Sequence, residues 1–138
     1  MRLAASVLAI GLACAACSEG APDEFDQRLA QWEETAPENY SFTLFLGTFF
    51  GGTSLELAVR SGVLEILSEE TDGPSVGAEG AATIDEMFDL LRTAYADADT
   101  VRAVYDEDYG FPVDVRVDWV SEAVDDESWF EITDFVAE

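Results

Sequence analysis

The stretch FPVDVRVDW, residues 111–119, alternates apolar and polar side chains along its whole length. A period of two puts every second side chain on the same face of a β-strand, so the three valines and both aromatic residues share a face. Asp114, Arg116 and Asp118 share the other face. Pro112 stands at the strand start, where a missing N–H is tolerated. The pattern therefore predicts a strand with one buried face, as in an antiparallel sheet.

Two further strands are predicted beside this one, at residues 100–105 and 129–136. The intervening DEDYG, residues 106–110, favours a tight turn. Its Asp106 and Asp108 match part of a calcium loop, but an arginine stands where the EF-hand pattern requires glutamate. A tight acidic turn is therefore the expected structure.

A helix is predicted before the strands in each half of the chain. Thr83 and Glu86 form the T-x-x-E capping box that marks a helix start. Residues 23–35 carry apolar side chains at i, i+4 and i+7, and Pro37 ends that run. The two apolar stripes are Phe25, Leu29 and Trp32 in the first helix, and Ile84, Met87, Phe88, Leu91 and Tyr95 in the second.

Three strands are predicted after the first helix, and together the elements define the fold class. The strands are NYSFTLFL, SLELAVR and VLEIL, joined by the glycine-rich turn GTFFGGT and by Ser61-Gly62, a two-residue hairpin link. Residues 68–82 lack periodicity and are expected to form one long loop. The expected fold is α+β, in the order α-β-β-β-α-β-β-β. About six antiparallel strands carry both helices on one face, and the two α-β-β-β units are candidate copies of one repeat.

The N-terminal residues have the layout of an export signal. Residues 1–16 contain Arg2, a short apolar run and then small residues, as in a secretory signal peptide. Cys17 follows two alanines and is the expected lipidation site, with Cys14 as the alternative. A redox pair, a zinc site or an unlipidated secreted protein is less consistent with this placement. Residues 17–22 are then a lipidated tether and 23–138 a single α+β domain.

The composition excludes several classes of function. The 138 residues include 30 acidic and six basic residues and no histidine, which gives a net charge of −24. A phosphate backbone would be repelled, so no nucleic-acid partner is expected. Without histidine or lysine, no Ser-His-Asp, Cys-His or Ser-Lys catalytic group is possible. A solvated acidic surface, suited to a saline habitat, is the simplest explanation of the charge. A cation-binding surface and a docking face for a basic partner are the alternatives.

Nearly all of the mature chain resembles a known family, and the resemblance is most specific in the C-terminal part. The run from 105 to 135 is similar to the signature of a group of uncharacterised bacterial lipoproteins, catalogued as domain of unknown function 6174. The matching motif positions include Tyr105, Gly110, Pro112, Asp118, Asp125 and Glu127. The resemblance implies a location in the cell envelope and a fold shared with the family. It implies no catalytic activity. Members often carry Cys-x-Cys after the first strand, where this chain has Thr48-Phe49-Phe50, so a disulfide or metal role of that pair is absent here.

Two segments contain the candidate site residues. Asp118, Asp125, Asp126 and Glu127 could hold Ca²⁺ through oxygen ligands. They could equally cap strand ends, contact Arg116 or accept hydrogen bonds from backbone N–H groups.

Phe49 and Phe50, between glycines, are the candidates for contact with a partner, because aromatic side chains dominate binding hot spots. The alternative is that their turn folds over the sheet and buries both rings.

The expected function is a non-catalytic binding or accessory module, held at the cell envelope by its lipid. In a cell with two membranes, the serine after Cys17 favours the periplasmic face of the outer membrane. No cofactor is expected, and the partner is expected to be another envelope protein. A Ca²⁺-binding accessory protein is the second hypothesis, and a carboxylate-based hydrolase is the third.

Overall fold

The computed structural model describes residues 21–74 and 77–138, and the predicted order of elements is confirmed. The signal peptide, Cys14 and Cys17 lie outside the described residues. The helices are α1 (Ala21–Thr35) and α2 (Ile84–Asp97). The strands are β1 (Asn39–Thr48), β2 (Gly51–Arg60), β3 (Val63–Asp72), β4 (Thr100–Tyr105), β5 (Pro112–Asp118) and β6 (Glu127–Ala137). Among the described residues, no helix is both long and apolar enough to cross a bilayer.

All six strands form one antiparallel sheet in the order β3-β2-β1-β6-β5-β4. The first and last strands of the chain therefore lie side by side at the centre. In the first half, the strand after the helix is central, whereas in the second half it is at the edge. This arrangement does not support the hypothesis of two copies of one α-β-β-β unit, because equivalent strands occupy different positions.

Both helices cover the same face of the sheet, as predicted. The ring of Phe25 in α1 packs edge-on against Phe88 and Tyr95 of α2, at 5.9 and 5.8 Å. Trp32 is fully buried, and its indole N–H donates to Asp85 Oδ1 at 3.1 Å. Beneath the helices lies one core, which includes Phe42, Leu44, Leu55, Leu57, Val115, Phe130 and Ile132. Within the part of the chain that the structure describes, no helix lies over the opposite face, which is called the open face below.

The start of α2 has the predicted capping box. The Thr83 hydroxyl accepts from the Glu86 N–H at 3.2 Å, and the Glu86 carboxylate accepts from the Thr83 N–H at 2.7 Å. Two of the N–H groups that a helix start leaves unpaired are thereby satisfied. The cap fixes where α2 begins, and hence which of its side chains face the sheet.

The β2–β3 hairpin is also as predicted. Ser61 and Gly62 have φ values of 50° and 77°, the left-handed conformations of a type I′ turn. Asn39 Oδ1 accepts from the Ser61 N–H at 3.0 Å, which ties the turn to β1.

The prediction of a loop over 68–82 is wrong for its first part, because β3 continues to Asp72. Residues 68–72 pair with β2, but almost all of β3 is exposed. An edge strand with solvent on both faces needs no apolar alternation, so periodicity could not identify it.

A β-bulge in β6 turns Phe135 toward the core. Asp134 has a φ of 53°, and between Thr133 and Val136 the β6 strand has one more residue than β1. An extra residue in one strand reverses the direction of the side chains that follow. Phe135 accordingly packs against Phe111, with ring centroids 4.6 Å apart, on the helix-covered face.

Candidate functional site

The strand register brings the two predicted contact segments to the same end of the sheet. Thr48 pairs with both Gly51 of β2 and Ser128 of β6, and Asp118 of β5 pairs with Glu127. The β1–β2 turn and residues 119–126 thus lie at one end, which we call the loop end. The β4–β5 turn, residues 106–111, lies at the opposite end, the turn end.

Phe49 and Phe50 form the tip of the β1–β2 hairpin, with 64% and 58% of their surfaces exposed. The alternative that the turn buries them is therefore wrong. Their rings contact each other edge-on at 5.3 Å. The Thr48 hydroxyl accepts from the Phe50 N–H and donates to the Gly51 carbonyl, both at 3.3 Å, so the turn is ordered from its own backbone. The two rings therefore form a small exposed apolar cluster at the end of a hairpin whose turn is held by hydrogen bonds.

The loop of residues 119–126 adds two more exposed apolar side chains at this end. Val124 is 82% exposed and Val120 is 51% exposed. The loop is held by Asp99, whose carboxylate accepts from the Ser121 N–H at 2.8 Å and the Ser121 hydroxyl at 2.9 Å. These two hydrogen bonds lower the pKa of Asp99, because they favour its charged form.

The four acidic candidates do not converge on one point. Within the described ranges, no group of three or more acidic side chains is arranged to hold a metal ion. Both carboxylate oxygens of Asp126, and Oδ1 of Asp118, are nevertheless buried without a hydrogen-bond partner among those residues. Arg116 forms its ion pair with Asp114, at 3.4 Å. Asp114 and Arg116 are two residues apart on one strand and share a face, which explains this choice.

Reasoning from the sequence missed a pocket on the open face at the loop end. Arg102, Arg116, Asp118, Glu127 and Trp129 line it, and its volume is about 190 Å³. Thr100, Val117 and Ser128 complete the lining. The alternation of β5 places Arg116 and Asp118 on one face, but nothing in the sequence gives the register that adds β4 and β6.

Trp129 forms one wall of this pocket. It pairs with Gly47 of β1, and a Cβ atom at Gly47 would clash with the indole ring. The ring therefore lies against bare backbone. The Arg116 guanidinium lies over the indole, 5.8 Å from its centroid, within the range of a cation–π contact. Gly47 thus has a packing role, because a larger residue there would leave no room for this wall.

Three of the family-motif positions are structural and lie at the turn end. Tyr105 and Pro112 are buried, and burial raises the pKa of the Tyr105 phenol. Gly110 has a φ of 85°, and a Cβ atom there would come within 2.7 Å of the Arg28 carbonyl oxygen. The Asp106 carboxylate accepts from the N–H groups of Asp108 and Tyr109, which confirms the tight acidic turn.

The other three family-motif positions, Asp118, Asp125 and Glu127, lie at the loop end. Residues 24–137 match the model of a family of unknown function, DUF6174, and the chain belongs to this family. The match extends from the first turn of α1 to the end of β6. No curated protein and no solved structure matches the chain.

Proposed function

We propose that this chain is an exported lipoprotein without catalytic activity that binds a basic protein of the cell envelope through its loop end. One observation carries the proposal. Phe49 and Phe50 are more than half exposed, and the strand register places them at the same end as the exposed Val120 and Val124. Large apolar side chains grouped on a surface are typical of an interaction site.

The energetics favour the two phenylalanines as anchors. Removing ~100 Å² of apolar surface from water stabilises a complex by about 2.5 kcal/mol, and an exposed Phe ring offers surface of this order. The backbone of the turn is already held by the Thr48 hydrogen bonds, so little backbone entropy is lost when the rings are covered. Aromatic anchors of this kind supply most of the binding energy in many interfaces.

The charge of the chain selects the chemistry of the partner. At −24, the protein repels acidic proteins and anionic lipid headgroups alike. Asp72 pairs with Gly52 beside the Phe49-Phe50 tip, and the exposed Glu69 and Glu70 precede it on β3. A basic surface around an apolar pocket would complement this arrangement, and its association rate would fall as salt is added.

The anchor is proposed at Cys17, with Cys14 as the alternative, and the envelope is the proposed location. The lipobox-like residues before Cys17 support this assignment. α1 begins at Ala21, two residues earlier than expected, so residues 18–20 alone would separate the lipid from the helix. At ~3.5 Å per residue, the tether would span at most about 14 Å. The domain would therefore stay close to the membrane surface.

A test of the anchor is mass spectrometry of the N-terminal peptide from detergent-extracted membranes. We expect a peptide that begins at Cys17 and carries the mass of two or three acyl chains, because one chain alone holds only weakly. Cys17→Ser should abolish both the acyl mass and membrane retention, whereas Cys14→Ser should leave both intact. An unmodified N-terminus on a soluble protein would contradict the proposal.

The binding surface is tested by quantitative capture from solubilised envelopes. The Phe49→Ala, Phe50→Ala double variant should lose the partner, because both apolar anchors are removed. A matched control is Val104→Ala, Val136→Ala, which trims two exposed apolar side chains elsewhere on the sheet. The control should capture the same basic protein as the native chain. Undiminished capture by the first variant would contradict the proposed surface.

A Ca²⁺-binding accessory role is the second candidate. The buried oxygens of Asp126 and Asp118 favour it, since they have no hydrogen-bond partner within the described ranges. A cation would offset the cost of burying those oxygens without a partner. Calorimetric titration of chelator-treated protein with Ca²⁺ tests this role. If the titration releases no heat and Ca²⁺ does not raise the melting temperature, this role is ruled out.

A further inference from the structure

We infer that the pocket on the open face binds a small zwitterion of the α-amino-acid type. Arg102 and Arg116 would receive its carboxylate, and Asp118 and Glu127 its ammonium group. Trp129 would form the wall against its apolar body. This site is distinct from the protein-binding tip, because it faces the side of the sheet that the helices leave open.

The two arginines are an unusual feature of this sheet. Arg102 and Arg116 lie directly opposite each other on β4 and β5. Like charges in that position destabilise a strand pair. Arg102 forms no ion pair within the described residues, although the chain has 30 acidic side chains to offer one. Arg116 engages Asp114 through Nε, which leaves its two terminal nitrogens free.

An anionic ligand group would offset the repulsion between Arg102 and Arg116. Guanidinium groups bind carboxylates through two parallel hydrogen bonds, and one carboxylate can be shared by two arginines. The expected contacts are therefore the free nitrogens of Arg102 and Arg116 with the two oxygens of one carboxylate.

The acidic side of the pocket lacks a donor. Asp118 pairs with Thr100 on one neighbouring strand and with Glu127 on the other, so its carboxylate stands between the arginine pair and the loop. Its Oδ1 is buried and has no hydrogen-bond partner among the described residues. A buried carboxylate oxygen without a donor is costly. An ammonium group supplies up to three donors and would satisfy it.

The balance of charge favours a zwitterion over a simple anion. The pocket contains two guanidinium groups and two carboxylates, so its own formal charges cancel. An anion would also approach against the field of a chain with a net charge of −24. A zwitterion has no net charge to be repelled, and each of its two ends has a matching partner in the pocket.

The walls limit the size of the ligand. Trp129 lies against the backbone of Gly47 and forms the apolar wall of the pocket. The volume of about 190 Å³ is below the ~300–1,000 Å³ of pockets that take drug-sized ligands. A free amino acid is of a size that this pocket can hold.

Isothermal titration of the full mature domain with glycine, L-leucine and L-phenylalanine tests the site. We expect at least one to bind with a dissociation constant below ~10 mM. For that amino acid, the N-acetyl derivative and the amine without its carboxylate should each bind about tenfold or more weakly, because each lacks one charged end. The absence of binding by all three amino acids would overturn the inference, and so would equal binding of the amino acid and both analogues.

Variants test which side chain binds the carboxylate of the ligand and which binds its ammonium group. Arg102→Gln should remove the preference for the amino acid over the amine, and Asp118→Asn the preference over the N-acetyl derivative. Arg92→Gln is the matched control, since Arg92 is an exposed arginine on α2 that pairs with Asp89. Melting temperatures verify that each variant is folded. A uniform loss for all ligands in both variants would contradict the assigned roles. Failure of these tests would leave the Phe49-Phe50 proposal standing, because that proposal uses none of these side chains.

Discussion

The two ends of the sheet differ in whether their aromatic side chains are buried or exposed. At the turn end, Trp32, Tyr40, Phe111 and Phe135 pack in a continuous cluster, with ring centroids 4.6 to 6.2 Å apart. At the loop end, Phe49 and Phe50 make their only ring contact, among the described residues, with each other. The same residue type therefore stabilises the fold at one end and is available for binding at the other.

The difference is explained by where α1 lies. Arg28, Gln31 and Thr35 of α1 donate hydrogen bonds to backbone carbonyls of the β4–β5 turn, and those from Gln31 are 2.8 and 3.1 Å long. The helix thereby closes the turn end over its aromatic cluster. The described hydrogen bonds of the Phe49-Phe50 tip come from its own hairpin. Burial at the turn end thus depends on the contacts that α1 makes there, and a hydropathy pattern does not show them.

The largest expected effect is at the turn end, with Trp32→Ala. The side chain is fully buried and touches three rings, so its loss leaves a large cavity and removes the donor to Asp85. The free energy of unfolding should fall by about 3–5 kcal/mol. Urea unfolding measures this change. A loss below about 1 kcal/mol would show that the cluster does not stabilise this end.

Gly110→Ala should cost about 2 kcal/mol, because the left-handed φ disfavours a side chain and the new Cβ meets the Arg28 carbonyl. Gly62→Ala is the matched control. Gly62 also has a positive φ, but its Cβ would meet nothing within 4 Å. The control should therefore lose less stability than Gly110→Ala in the same urea experiment. Equal losses would mean that the contact between α1 and the β4–β5 turn is not tight.

Tyr40→Phe should change the response to alkaline pH more than the stability at neutral pH. Burial raises the pKa of Tyr40 to about 12, from about 10 in the unfolded chain. Between these values, the folded protein retains a proton that the unfolded chain has lost, so stability falls as pH rises from 10 to 12. The variant should show a shallower fall in this window when unfolding is followed against pH. An unchanged fall would exclude Tyr40 as its cause.

The smallest effect on stability is expected from Phe49→Ala, Phe50→Ala. Both rings are mostly exposed, so the free energy of unfolding should change by less than about 0.5 kcal/mol. Differential scanning calorimetry against the native chain measures this change. A loss above about 2 kcal/mol would place the rings in the core and would remove the contrast between the two ends.

Local rules predicted most of the fold. The alternation in 111–119, the capping box at Thr83 and the Ser61-Gly62 turn each rest on contacts within a few residues, and the structure confirms all three. The lower part of β3 could not be predicted, since an exposed edge strand shows no periodicity. The bulge at Asp134 was also missed, because the sequence does not show where one strand gains a residue.

The candidate site was predicted in part. The sequence identified Phe49 and Phe50, and it identified Asp118 and Glu127 as family positions, but it left open whether the rings were buried. The pocket depends on Arg102, Arg116 and Trp129, which come from three different strands. Only the register of β4, β5 and β6 brings them together, and register is fixed by long-range pairing.

Photo-crosslinking in living cells is the most direct test of the loop end as the binding end. A benzophenone amino acid would replace Phe49 in one strain and Val136, exposed on another part of the sheet, in a second strain. We expect the probe at 49 to form a covalent adduct with a basic envelope protein and the probe at 136 to form none. An adduct from 136 alone, or adducts from 49 with lipid only, would contradict the assignment of the loop end to protein binding.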